Sequence, residues 1–127
     1  RRLGAKVVLT EAQFCERFLD IYTKLGTPTR FLAVEAKVCA PSRAFKQARQ
    51  YLHIAHHVYV AEFTTKRDGK ANALARQTGV GLIHVREDIK GRLYASIAIK
   101  AKPSPFFDRT LASRVWKSAS KIPQNRI

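Results

Sequence analysis

The sequence predicts an α/β domain, a mixed central sheet flanked by helices. Runs that alternate between apolar and polar residues with a period of two are interleaved with runs of helical period, which is the pattern of strands and helices in turn. The joints between them carry turn chemistry: Gly26 and Pro28 in the link at 25–29, Asp68-Gly69, Gly79 and Gly91. The chain has 127 residues, 46% of them hydrophobic, enough for one buried core. Residues 1–127 are therefore read as a single domain, with 103–127 as a basic C-terminal extension.

The run at 30–38, RFLAVEAKV, is the centre of this reading. Leu32, Val34, Ala36 and Val38 fall on one face, and Phe31, Ala33, Glu35 and Lys37 on the other. Ahead of it, residues 16–24 read as one strand joined to it by a hairpin, with Asp20 in the strand's apolar middle. A shorter strand is expected at 6–9, and TEAQ at 10–13 is its continuation or a turn. Pro41 stops the second hairpin strand, and Ser42 is placed as the N-cap of a helix reaching about residue 56. Phe45, Ala48, Leu52 and Ala55 recur on its core face. Arg43, Gln47 and Gln50 lie on an adjacent stripe, flanked by Lys46 and Arg49.

The run at 58–63, VYVAEF, is β-branched and aromatic, as a central strand would be, with one polar residue at its end. A charged loop at 65–70 leads to a helix at 71–78, with Ala71, Leu74 and Ala75 inward and Gly79 as a left-handed stop. A buried strand LIHV follows, then a turn at 87–91. The run RLYASIAIK at 92–100 is predicted to point Leu93, Ala95, Ile97 and Ile99 inward. Two prolines break the chain at 103–105. Asp108 caps a last helix from 109 to about 119, with Leu111, Val115 and Trp116 as its apolar residues.

Twenty-four Lys and Arg against nine Asp and Glu give a net charge of +15. Basic residues spread along the whole chain point to a polyanion, and nucleic acid is the partner expected. Arg43, Lys46 and Arg49 on the helix, with Lys66, Arg67 and Lys70 in the charged loop, are the expected phosphate contacts. The C-terminal end, with Arg109, Arg114, Lys117, Lys121 and Arg126, fits either lying along DNA or docking a neighbouring subunit through Trp116. No apolar run approaches the roughly 20 residues needed to span a bilayer, and no signal-peptide pattern opens the sequence. Cys15 and Cys39 lack metal-ligand spacing and read as free thiols of a reducing cytoplasm. His53 and His57 are four apart, but no third ligand motif joins them. Exposure, or interaction with the helix C-terminus, is the better reading of the cluster His53, His56 and His57. There is no Ser-His-Asp set, and GVG at 79–81 lacks the Lys-Ser/Thr continuation of a P-loop.

Asp20, then Glu35-x-Lys37, then Gln47 on the next helix is an order of residues that resembles the PD-(D/E)xK nuclease superfamily. KQARQYLHIAHHVYVA and LARQTGVGLIHV are similar to a helix and following strand, and to the second helix, glycine turn and next strand, of that family's small basic members. The likeness spans roughly 16–102. It implies a restriction-endonuclease-like fold and a DNA endonuclease or junction resolvase. In that family a helix precedes the first strand, and the sequence leaves no room for it here. Asp20, Glu35 and the backbone carbonyl of Ala36 would hold Mg2+ or Mn2+. Lys37 would orient the attacking water and offset charge on the phosphate, and Gln47 would hold the water or a phosphate oxygen. Glu11 and Glu16 read as surface residues. Two other readings stand beside it: a non-catalytic DNA-binding module on the same fold, and a basic RNA-binding structural protein in which Glu35 and Lys37 are a surface ion pair. A homodimer and a cytoplasmic or nucleoid-associated location are expected by analogy.

Overall fold

The computed structural model describes residues 8–9, 12–14, 17–19, 21–26, 28–36, 41–63 and 69–120. Its strands are β1 (Val8–Leu9), β2 (Ala12–Phe14), β3 (Arg17–Leu19), β4 (Ile21–Leu25), β5 (Arg30–Ala36), β6 (His57–Phe63), β7 (Gly81–Glu87) and β8 (Leu93–Ile99). Its helices are α1 (Pro41–Arg49), extended by a 3-10 turn at Gln50–His53, α2 (Gly69–Thr78) and α3 (Arg109–Ser120). A six-stranded sheet runs β1-β4-β5-β6-β7-β8, and β2 and β3 pair in the same antiparallel register that joins β1 and β4. The three central strands β5, β6 and β7 are parallel, and antiparallel strands flank them on both sides. The fold is α/β with a mixed sheet. Parallel neighbours need a crossover between them, which α1 supplies from β5 to β6 and α2 from β6 to β7.

Period-two alternation divides the sheet into two faces. On one, Tyr22, Phe31, Ala33, Val58, Val60 and Leu82 pack against Phe45 and Ala48 of α1, Ala71 and Ala75 of α2, and Ala112 and Val115 of α3. The other carries a smaller cluster, Leu32, Val34, Tyr59, Ile83 and Ala101. The buried Tyr22 hydroxyl donates to the Ile54 carbonyl at 2.6 Å, and burial pushes its phenol far above the ordinary tyrosine value.

Several local expectations hold. Gly26 and Gly79 take positive φ, 67° and 80°. The Asp108 carboxylate accepts from the Leu111 N–H at 3.1 Å and caps α3. Phe45, Ala48, Leu52 and Ala55 are all buried.

The strand read at 16–24 is found on both sides of Asp20, which lies outside the described residues: β3 pairs with β2, and β4 with β1, in one antiparallel register. Of TEAQ, Ala12 and Gln13 are strand residues of β2, as a continuation would be. Other expectations are corrected. The first helix opens at Pro41, whose fixed φ suits a first helical position, so Ser42 lies inside the first turn and is not its cap. That helix tightens into the 3-10 turn after Arg49 rather than running on to 56. In β8 the expected inward face fails. Leu93 and Ala95 are exposed, on the strand that ends the sheet among the described residues. A bulge skips Ala98 in the register, turning Ile97 toward the smaller cluster and Ile99 toward the helices. Trp116 is half-buried rather than free on the surface: it packs against Tyr22 and Phe31, with the Lys24 ammonium 4.5 Å above its ring.

Candidate functional site

The three parallel strands end at one edge of the sheet, the edge where open α/β sheets place ligands. Glu35 stands one residue from the end of β5, level with Val60 of β6, on the face the helices cover. Its side chain is 8% exposed, so the surface ion pair read for Glu35 with Lys37 does not describe this carboxylate. Burying a carboxylate costs free energy unless donors replace its water. One donor is the Tyr51 hydroxyl, 3.2 Å from Glu35 Oε1. The 3-10 turn after α1 places Tyr51, itself 1% exposed, in the core beside Leu52. A buried tyrosine brings an apolar ring and a hydroxyl that needs a partner, and Glu35 meets that need.

Gln47 lies one helical turn before Tyr51 and is half-buried. With Ser42, Arg43, Lys46 and Gln50 it lines a surface cavity of about 430 Å³. Two of the three helix cations expected to meet phosphate, Arg43 and Lys46, thus share that cavity with Gln47. Arg49 is exposed but is not among its lining residues. Lys70 is exposed in the first turn of α2. Ala36 is the exposed last residue of β5. Asp20, Lys37, Lys66 and Arg67 lie outside the described residues, as do Cys15, Cys39, Glu11, Glu16, Lys121 and Arg126. Ile21 and Val34 are register partners; in the chain they are the neighbours of Asp20 and Glu35.

Three residues at this edge were missed by the sequence reading: Tyr51, Glu62 and His84. Glu62, passed over as a polar residue at a strand end, is 1% exposed. Its register partner on β7 is His84, whose Nε2 is 3.9 Å from Glu62 Oε1, beyond hydrogen-bond range. The signal was available, because Val58, Val60 and Glu62 share a face by period two. Tyr51 falls four residues after Gln47, on the same side of a helix.

Among the described residues, no group of three or more His, Cys, Asp or Glu is gathered as metal ligands would be. The Phe31 N–H donates to His56 Nδ1 at 2.9 Å, and the ring stacks on Phe107 with centroids 3.8 Å apart. Burial, then the charges of Arg109, Arg30 and His57, hold His56 below its ordinary value. Burial, Arg30 and Lys100 do the same to His57. A charged histidine favoured by the helix end is therefore the wrong picture for these two.

No family model matches the chain, and no curated protein matches it. Among solved structures it is similar to SfsA of Pyrococcus furiosus in complex with Ca2+, at 11% identity and a TM-score of 0.47. That likeness covers 83% of this chain and 56% of SfsA. The chain thus spans little more than half of SfsA, and a likeness of this degree carries no functional argument. No helix among the described residues is long and apolar enough to cross a membrane.

Proposed function

We propose that this chain is a metal-dependent endonuclease that hydrolyses DNA phosphodiester bonds. The observation that carries the reading is Glu35: a carboxylate buried at the C-terminal edge of the parallel strands, held by the Tyr51 hydroxyl, under a helix that presents Gln47, Arg43 and Lys46. A carboxylate kept in such a place, bonded to a residue one helical turn beyond the Gln47 of a cation-lined cavity, has the attributes of a positioned functional group. The charge of +15 supplies the attraction for a polyanion.

The donor set fits a hard cation. Magnesium takes oxygen ligands, one or two of them carboxylates, and keeps water for the rest. Glu35 with Asp20 and the Ala36 carbonyl would hold it, and the bound ion would supply a water of lowered pKa and charge stabilisation at the phosphate. Tyr51 fixes the orientation of the Glu35 carboxylate. Gln47 donates to a phosphate oxygen from α1, and Arg43 and Lys46 hold the flanking backbone. Lys37 offsets the charge that develops on the phosphate in the transition state, where a well-placed charge contributes on the order of a hundredfold or more in rate.

The test is a paired measurement on wild type, Glu35→Ala and Lys37→Ala: gel-shift affinity for DNA, and nicking of supercoiled plasmid with magnesium or manganese. Wild type is expected to nick, Glu35→Ala to lose metal-dependent nicking, and Lys37→Ala to bind almost as wild type while nicking very slowly. A wild type that binds DNA tightly and nicks no form of it with either metal would establish a binding module instead.

A further inference from the structure

Among the described residues the six-stranded sheet ends on one side in β8, seven residues long, with Leu93 through Ser96 all exposed. An open strand edge invites pairing with another chain, and stable monomers protect such edges with lysine, proline, shortness or a bulge. From Leu93 to Ile97 the pairing with β7 is regular, and the bulge comes only after it. Leu93–Ile99 holds no charged residue and no proline, in a chain carrying 24 Lys and Arg. On the face away from the helices, its Leu93 is 63% exposed.

We propose that β8 is a self-association edge, pairing antiparallel with β8 of a second copy about a two-fold axis at Ala95. The occupant is set by charge. Two molecules of charge +15 repel, and they can approach closely only where neither presents a cation. An anionic partner, nucleic acid or acidic protein, finds nothing on this strip to bind. Pairing centred on Ala95 sets Leu93 against Ile97 of the second copy, Tyr94 against Ser96, and Ala95 against Ala95. Arg92 then faces Ala98 rather than Lys100, and its guanidinium is already bound to the Asp88 carboxylate at 2.9 Å. The small residues at 95, 96 and 98 allow the backbones to approach. Main-chain hydrogen bonds supply most of the attraction, and burial of Leu93 adds to it.

The pairing does not depend on the catalytic reading, but it has a consequence for it. A two-fold axis normal to the sheet leaves both helical faces on the same side of a twelve-stranded sheet. The two β5 strands would be seven strand spacings apart, roughly 34 Å at about 4.8 Å each. That is close to the roughly 34–36 Å of one duplex turn.

The experiment is sedimentation equilibrium of the whole chain without DNA, from micromolar to millimolar, on wild type, Ala95→Lys, Ala95→Glu and an equimolar mixture of the two variants. Position 95 is exposed, so both variants fold, and unchanged circular dichroism checks this. Wild type is expected to form dimers. Each variant alone, opposing like charges across the axis, associates roughly tenfold or more weakly, and the mixture recovers dimers by pairing Lys with Glu. A wild type monomeric throughout overturns the proposal, and so does an Ala95→Lys that dimerises as wild type. Loss of association in both variants without recovery in the mixture places the contact elsewhere than Ala95 against Ala95, and overturns it too. None of these outcomes depends on nicking, so failure of the dimer and failure of the nuclease reading are separate results.

Discussion

Replacing Tyr51 with phenylalanine removes one oxygen from the candidate site and leaves the packing of a 1% exposed ring in place. What is lost is the hydroxyl's bond to Glu35 Oε1, 3.2 Å long and therefore at the weak end of its class. A hydrogen bond to a charged group contributes about 1.5–3 kcal/mol, and the lower figure, about 1.5 kcal/mol, is the one to expect here. For a chain of 127 residues the unfolding entropy near 60 °C is about 270 cal/mol/K, so Tm should fall by about 6 °C. On the functional reading the change goes further, because a carboxylate that has lost its orienting partner binds metal about 10- to 100-fold more weakly. Thermal melting at neutral pH reads the first effect, and the magnesium dependence of nicking reads the second. A Tyr51→Phe protein that melts within a degree of wild type would refute the claim that this bond holds Glu35.

Two further tests address the scaffold. His56 must be neutral at Nδ1 to accept from Phe31, and its pKa is lowered in the folded state. The unfolded chain therefore takes up protons first as pH falls. The stability this histidine contributes is complete above about 6.5, the ordinary histidine value, and is lost as pH drops toward the folded value. Denaturant midpoints should fall between pH 7 and 5.5, and His56→Asn, which keeps an acceptor oxygen without titrating, should flatten that slope. Stability that rises on acidification would contradict the assignment. Gly81 is a site of close approach: a Cβ there would overlap the Tyr59 ring and come within 2.6 Å of the Ala101 nitrogen. Gly81→Ala should cost about 2–3 kcal/mol, seen as a lower denaturation midpoint at unchanged slope. Gly69→Ala, with nothing within 4 Å of its Cβ, should not.

The sequence alone determined what is local. Alternation at 30–36 set Glu35 on the face of Phe31 and Ala33, because side chains on a strand must alternate. The cap at Asp108, the left-handed stop at Gly79 and the turn at Gly26 followed from the few conformations those residues prefer. The stripe of Arg43, Gln47 and Gln50, flanked by Lys46 and Arg49, followed from helical period. Period does not say which strand lies at an edge. Leu93 and Ala95 alternate as core residues do, yet they are exposed on β8, which no further strand covers among the described residues. Nor does it say what an apolar side chain will meet: Trp116 went to Tyr22 and Phe31, about ninety residues away in the chain. Above all, the sequence could name Glu35 but not its partner. Tyr51 reaches it only because the chain tightens after Arg49 and the crossover to β6 folds that turn back over β5. Strand order and crossover packing are settled by how all the apolar faces are buried at once, and that is a property of the whole chain that no window of it contains.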